Sequence, residues 1–282
     1  MKPSYPHGWL CRVSSIEYLD QLAATRPARD YKRRLFEALD IQPGLVVLDV
    51  GCGPGTDLAG LATAVAGTGT VLGVDHDPAM VAEAVRRTAG LGNVEVRTGD
   101  AHALPVDDAS VDRARADRVL QHLTAPAQAL AELFRVIRPG GRLGLVEPDW
   151  DTLVIDDPDV LTSRDFTRFL ADVQVRNGAI GRQLGRLATG AGFAVADLAA
   201  ATATFRDVEA ADQILGVRRN ARRAVDAGRM TPDATEQWLG RLTDGGPFLA
   251  TFTFFTVIAV RAGDGVPGRH PPSGHPDHRG ST

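Results

Sequence analysis

Val46-Val47-Leu48-Asp49-Val50-Gly51-Cys52-Gly53-Pro54-Gly55-Thr56 is the stretch that decides the fold. Its apolar, β-branched start reads as a buried strand. The three glycines that follow let the chain turn tightly and come close to a ligand at the start of the next helix. Two familiar loops are excluded by spacing. A dinucleotide fingerprint G-x-G-x-x-G counted from Gly51 needs glycine at position 56, where Thr56 stands, and a phosphate loop needs a closing Gly-Lys-Ser/Thr that is missing. The spacing is G-x-G-x-G. Taken alone it also fits a tight turn that only packs strand on helix.

Outward from this loop, β-branched runs alternate with helical patterns, the rhythm of crossover units on a parallel sheet. Strands are expected over 45–50, 71–74, 94–97, 111–116 and 142–146. Between them lie helices over 58–65, 79–89 (behind Pro78) and 127–137, the last with Leu130, Leu133, Phe134 and Ile137 on one stripe before the turn Arg138-Pro139-Gly140-Gly141. After Glu147 the pattern predicts an acidic connection (DWDTLVIDDPD), helices over 163–173 and 182–191, a strand over 195–205 and two more helices within 207–243. The Thr/Phe alternation of 248–260 closes the sheet. The expected fold is α/β: a doubly wound, seven-stranded, mostly parallel sheet with a helical cap, whose ligands bind beyond the carboxyl ends of the strands. By domain, residues 1–30 form a lid segment, 31–262 the main domain with cap insertions at about 150–180 and 207–243, and 263–282 a disordered tail.

The chain has 282 residues, enough for one large domain with a cap. Lys and Arg number 31 against 35 Asp and Glu, a net charge of −4, which argues against a dedicated nucleic-acid binder. Cys11 and Cys52 cannot make a disulfide framework, and MKPSYPHGWLCRVSS lacks the apolar run of a secretory leader, so a cytoplasmic protein is expected. The apolar run 248–260 is too short to span a bilayer as a helix. His270, His275 and His278 in the Gly/Pro-rich end allow loose metal binding or none, and no grouping with zinc spacing exists elsewhere, so no metal is expected. Neither nucleic acid nor membrane is expected as a partner, and a homodimer stays open.

Two acids follow the glycine loop at successive strand ends. Asp75 lies 24 positions after Gly51, where a carboxylate can accept from both ribose hydroxyls, and Asp100 in Thr98-Gly99-Asp100-Ala101 is placed to meet an adenine edge. Both residue types also cap helices and turns, and Asp77 before Pro78 is assigned to capping. A glycine loop with two acids in register favours a nucleoside site.

With these residues in place the chain resembles the class I S-adenosylmethionine-dependent methyltransferases of the small-molecule, menaquinone and ubiquinone C-methyltransferase group. The likeness rests on VLDVGCGPGTD (47–57), GVDHDPAM (73–80), TGDAHALPV (98–106), DRVLQHL (117–123) and ALAELFRVIRPGGRL (129–143), in that order, over about residues 30–150. The resemblance implies S-adenosyl-L-methionine as cofactor and S-adenosyl-L-homocysteine as product. It implies Gly51, Gly53 and Asp49 against the methionine part, Asp75 on the ribose, His76 and Met80 beside the adenine, and Asp100 with Ala101 at its edge. The backbone around Arg118 would face the amino group.

The acceptor side matches no single substrate. His122, after the fourth strand, is the candidate base, because histidine titrates near neutrality, and Glu147 or Asp149 after the fifth strand would orient it. That pairing is similar to one in some sugar and natural-product O-methyltransferases. Helix capping or packing under the cap is the other reading of His122. Tyr5, Trp9, Tyr18, Tyr31 and Trp150 serve either a roof over the ligands or the core, and Arg218, Arg219, Arg222 and Arg223 either a solvated face or an anion site. The expected function is methyl transfer to an O, N or C nucleophile of a small molecule in secondary or quinone metabolism. The alternative is a protein that binds the cofactor but catalyses a cyclisation or decarboxylation, or only senses the ligand. Methylation of nucleic acid or protein is disfavoured by the charge and by Ala116-Asp117-Arg118-Val119, which has no Asn-Pro-Pro-Tyr-like motif.

Overall fold

A computed structural model describes residues 15–263. Tyr5, Trp9, Cys11, the three C-terminal histidines and the expected tail lie outside them. The chain runs α1 (Ser15–Ala23), α2 (Arg26–Leu39), β1 (Val46–Val50), α3 (Leu58–Val65), β2 (Thr70–Asp75), α4 (Pro78–Thr88), β3 (Val94–Thr98) and β4 (Val111–Asp117). A 3-10 turn (Leu120–His122) leads to α5 (Pro126–Val136), β5 (Ile137–Ile155), α6 (Val160–Phe169) and a π turn (Leu170–Gln174). Then come α7 (Leu184–Gly190), β6 (Ala194–Phe205), α8 (Val208–Leu215), α9 (Val217–Asp226), α10 (Pro232–Thr243) and β7 (Ala250–Val260).

The sheet order is β3-β2-β1-β4-β5-β7-β6. β1 to β5 pair in parallel, whereas β7 runs antiparallel to both β5 and β6. Winding reverses between β1 and β4, so the loops after these strands diverge and leave a crevice at their carboxyl ends, the place where open α/β sheets take ligands. The glycine loop follows β1, and Arg118 to His122 follow β4.

Period-two alternation assigns the faces. Leu48 and Val50 of β1, Ala114 and Ala116 of β4 and Leu143 and Leu145 of β5 pack with Leu130 and Leu133 of α5 and Leu184 of α7. On the other face Val47 and Val71 meet Leu58 and Leu61 of α3, while Leu35 and Leu39 of α2 lie with Val146. This second core continues into the cap through Phe166, Trp238, Leu215 and Phe252. Thr25 caps α2, accepting from Ala28 N–H at 3.3 Å, and sets the angle at which the helix meets the sheet.

The boundary expected at residue 30 falls inside α2. Among the described residues of that segment, α1 lies over the glycine loop, with the Leu19 methyl 3.6 Å from where a Cβ on Gly53 would stand. The acidic connection after Glu147 is instead a continuation of β5, pairing Val154 with Thr251 and Ile155 with Ala250 of β7 after an irregularity beyond Asp149. Leu153 and Ile155 point inward and Val154 outward, an ordinary strand alternation. Its charges read as a loop because the salt bridge from Arg182 to Asp149 is invisible in sequence. Residues 207–243 hold three helices rather than two, since Gly216 at φ +58 ends α8 and opens α9. The helix expected over 163–173 starts earlier, at Val160, because Asp159 caps it through Thr162 N–H (3.1 Å).

α2 sits directly on β5 at Gly144, where a Cβ would stand 2.6 Å from Leu35 Cδ1 and 3.2 Å from both Leu39 methyls. Gly144→Ala is therefore expected to destabilise the fold by about 1–3 kcal/mol through overpacking. A urea midpoint equal to the parent's would contradict this contact.

Candidate functional site

The glycine loop is pinned to β2 by two backbone bonds, Gly51 N–H and Cys52 N–H donating to Val74 O at 2.7 and 3.1 Å. Gly51 has φ +69, and a Cβ there would lie 2.4 Å from Val119 Cγ2, so the β1 and β4 loops touch where only glycine fits. Gly53 N–H donates to Asp75 Oδ2 (2.8 Å), and Asp75 Oδ1 accepts from Asp77 N–H (3.0 Å). A buried carboxylate is thereby fixed beside the loop at the end of β2. Burial pushes the Cys52 thiol up, with Asp49 and Asp75 adding to the effect, so it stays a neutral thiol.

The other sequence-predicted residues line the same edge. Asp77 caps α4 through Ala79 N–H (2.9 Å). Met80 and Ala101 are buried, whereas His76 is exposed. Asp100 accepts from His102 N–H (2.9 Å) and meets His102 Nδ1 at 2.6 Å. These bonds hold its carboxyl below the usual range. Asp100 thus makes the turn contact that its capping reading described, with its side chain largely exposed.

Behind the loop lies an ion network that the sequence reading missed. Arg115 of β4, 2% exposed, donates from Nη1 to Asp57 Oδ2 (2.8 Å) and from Nη2 to Asp117 Oδ2 (3.0 Å), and its Nε lies 3.5 Å from Asp49 Oδ1. Lys32 of α2 adds a 2.6 Å bond to Asp57, and Tyr31 O–H donates to Asp117 Oδ1 (3.1 Å). Phe36 lies under the Arg115 guanidinium at 5.2 Å. Asp49, two residues before Gly51, and Asp57, two residues after Gly55, are therefore both held by Arg115. Burial raises Asp49 to about 6, although Arg115 opposes the shift. The signal was legible in Val-Asp-Arg-Ala-Arg-Ala-Asp (111–117), where Arg113, Arg115 and Asp117 alternate with alanines and share one face.

The loop after β4 is shaped from below by Glu147. This carboxylate is fully buried, accepts from Leu120 N–H at 2.5 Å through Oε1, and leaves Oε2 without a partner. Burial lifts it to about 8. Arg118, just before the turn, is a non-glycine residue at φ +60, its N–H bonded to Val146 O (2.8 Å). Such backbone is sparsely populated and persists where the surroundings over-determine it. Asn177 seals the turn with bonds to Leu120 O and Leu123 O, both 2.8 Å.

The expected pairing of His122 with Glu147 or Asp149 is not made. Glu147 reaches the backbone of the turn that carries His122, and Asp149 is bound by Arg182 and by Asp151 N–H (3.2 Å). His122 is exposed, yet crowding against the protein and then the charges of Arg118, His76 and Arg176 hold its pKa below the usual value. The imidazole is therefore neutral at pH 7.

Tyr31 packs on Phe254 (4.8 Å), Trp150 stacks on Phe252 (5.2 Å) and bonds Gln121 Oε1 (2.8 Å), and Tyr18 O–H donates to Ile214 O (3.2 Å). Tyr31, Phe252 and Phe254 are thus buried in the core that joins the sheet to the cap, with Tyr18 and Trp150 packed against it. In the basic run, Arg218 is tied to Glu209 and Asp212 on α8. Among the described residues no group of His, Cys, Asp and Glu is arranged to hold a metal ion, and no helix is long and apolar enough to cross a membrane.

A family profile described as "Methyltransferase domain" matches residues 47–141. An uncharacterised 37.1 kDa protein in transposon TN4556 of Streptomyces fradiae is 55% identical over 244 residues, which is 86% of this chain and 70% of that protein. Demethylmenaquinone methyltransferase of Staphylococcus aureus is 31% identical over 137 residues, 49% of this chain and 57% of that enzyme. Among solved structures, a SAM-dependent methyltransferase from Aquifex aeolicus is 25% identical with a TM-score of 0.50, covering 66% of this chain and 90% of that one.

Glu147 generates a pH prediction. Its folded pKa of about 8 lies above the ordinary 4.5, so the folded state holds the proton more tightly than the unfolded chain. Its contribution is full below pH 4.5 and is lost as pH rises toward 8. Glu147→Gln keeps an acceptor for Leu120 N–H and cannot ionise. The urea midpoint of the variant should gain on the parent from pH 5 to pH 8, and a constant difference would contradict a buried, proton-holding carboxyl.

Proposed function

Because the chain belongs to the class I S-adenosylmethionine-dependent methyltransferases, we propose that it methylates an oxygen, nitrogen or carbon nucleophile of a small molecule in secondary or quinone metabolism. One observation carries the cofactor side of this reading: the glycine loop donates Gly53 N–H to Asp75, so loop and ribose-binding carboxylate form one bonded unit at the sheet's switch point. The quinone context is supported by the demethylmenaquinone methyltransferase relative.

The residues present fit the cofactor. Gly51 and Gly53 let the loop backbone approach the amino-acid end closely, Asp75 stands ready for the ribose, and Met80 and Ala101 form a buried apolar edge for the adenine, with His76 and Asp100 at the rim. When bound, the cofactor supplies a methyl group activated by its sulfonium. The protein's task is then alignment and exclusion of water, which can lower a barrier by several kcal/mol. α1 covers the loop through Leu19, and the Asp20 carboxylate clasps Arg87 of α4 at 2.8 and 2.7 Å. His122 is exposed and neutral, so its imidazole can receive a proton from an acceptor O–H or N–H, as a weak base while its pKa is held down to about 4. Glu147 acts on it through the backbone of the turn, and Asp149 through Arg182 fixes the strand end beneath Trp150.

Asp75→Ala should weaken S-adenosylhomocysteine binding by about 1.5–3 kcal/mol, the scale of hydrogen bonds to a charged group. Unchanged affinity in calorimetry would remove Asp75 from the ribose site. With an acceptor in hand, His122→Ala should lower turnover and leave cofactor affinity intact; a full-rate variant excludes the base role. Mass spectrometry of the product tests the reaction itself: one added methyl per S-adenosylhomocysteine is expected, and an acceptor converted without it would mean a different step on the same fold.

A further inference from the structure

Arg118, at the crevice after β4, carries a guanidinium whose hydrogen bonding is left unmet among the described residues. Its side chain is only 17% exposed, its Nε is buried without a partner, and among the described residues its guanidinium donates no hydrogen bond. The nearest carboxylate oxygen, Asp117 Oδ1, is 3.6 Å away. That carboxylate is already met by Arg115 Nη2 at 3.0 Å and by Tyr31 O–H at 3.1 Å. Glu147, the other acid close enough to act on Arg118, spends Oε1 on Leu120 N–H. Its Nε–H is thus held out of water with no acceptor within hydrogen-bond reach, although a buried donor left unpaired is costly.

Its surroundings define the missing partner. Tyr31, Asp117, Tyr18 and Glu147 are the groups that act on the Arg118 charge, which places the fork between α1, α2 and the ends of β4 and β5. The next residue, Val119, packs against Gly51 of the loop. Arg118 holds this place with its backbone at φ +60, a sparsely populated conformation for a residue other than glycine. A guanidinium suits a carboxylate, which it grips with two parallel N–H bonds.

We propose that the Arg118 side chain receives the α-carboxylate of the cofactor's amino-acid end, clamping it from the β4 side against the glycine loop. This rests on the cofactor reading above. It gives the side chain a role separate from that of the backbone around Arg118, which the resemblance sets against the amino group. The carboxylate of an acidic acceptor has the same chemistry, and the test separates the two sources.

The test is a calorimetric comparison of two ligands, S-adenosylhomocysteine and its decarboxylated analogue S-adenosyl-3-thiopropylamine, on the parent protein, Arg118→Met and Arg118→Lys. Arg118→Met should bind S-adenosylhomocysteine at least tenfold more weakly and the decarboxylated analogue within twofold of the parent. Arg118→Lys, which keeps the charge but not the fork, should fall between. Because the second ligand reports on the same variant, a misfolded protein would lose both, and in that event Arg118→Lys alone decides the question by the same ratio. Equal effects on the two ligands, or none on either, would overturn the assignment. A variant that keeps S-adenosylhomocysteine affinity but loses turnover of acidic acceptors alone would also overturn it, by moving the fork to the acceptor. A parent protein that binds neither ligand would overturn the cofactor reading and the Arg118 role together.

Discussion

One buried guanidinium constrains the crevice. Arg115 reaches Asp49 ahead of the glycine loop, Asp57 behind it and Asp117 at the end of β4, and Lys32 draws α2 onto the same Asp57. Removing charges from water costs several kcal/mol per ion, so such a network holds together only when each charge is met. The fold meets that demand through convergence of α2, β1, α3 and β4 at one point. The glycine loop, with little side-chain packing of its own, takes its position from this frame. Asp57 illustrates the cost: it stands at the N-cap position of α3 yet makes no capping bond, because its carboxylate is committed to Lys32 and Arg115.

The frame also divides labour between the two sides of the crevice. On the cofactor side, backbone groups and fixed carboxylates predominate, as in Gly53 and Asp75. Toward the cap, the packing is aromatic and the polar groups act at one remove. Glu147 shapes the turn beneath His122, and Arg182 neutralises Asp149 so that β5 can continue as a strand into the cap. The α2 and cap residues share one apolar core, so the cap is tied mechanically to the sheet.

Much of this was legible in the sequence where a rule is local. Glycine spacing, Asp77 before Pro78, and period-two alternation in β1 and β7 give loop, cap and strands without tertiary information. Elements set by distant partners were not legible. The stretch after Glu147 looked like a loop because its acids meet distant partners, Asp149 and Asp151 at Arg182 and Asp157 at Arg241. Gly216 could be read as a helix stop, and it splits α8 from α9. The charged face of Val-Asp-Arg-Ala-Arg-Ala-Asp was in plain view, but a strand with buried arginines makes sense only once α2 is known to carry Phe36 and α3 to begin at Asp57. Pairing His122 with Glu147 failed for a related reason: strand ends that are neighbours in order can send their side chains to different depths.

The measurement that tests the central claim most directly is calorimetric titration of the purified protein with S-adenosylhomocysteine and, separately, with NAD. A framed glycine loop with G-x-G-x-G spacing should bind the sulfur nucleoside at one site per chain, with micromolar or tighter affinity, and should not bind the dinucleotide. Binding of NAD would contradict the cofactor assignment, and binding of neither ligand would mean that the frame built around Arg115 serves the packing of strand on helix and not a nucleoside site.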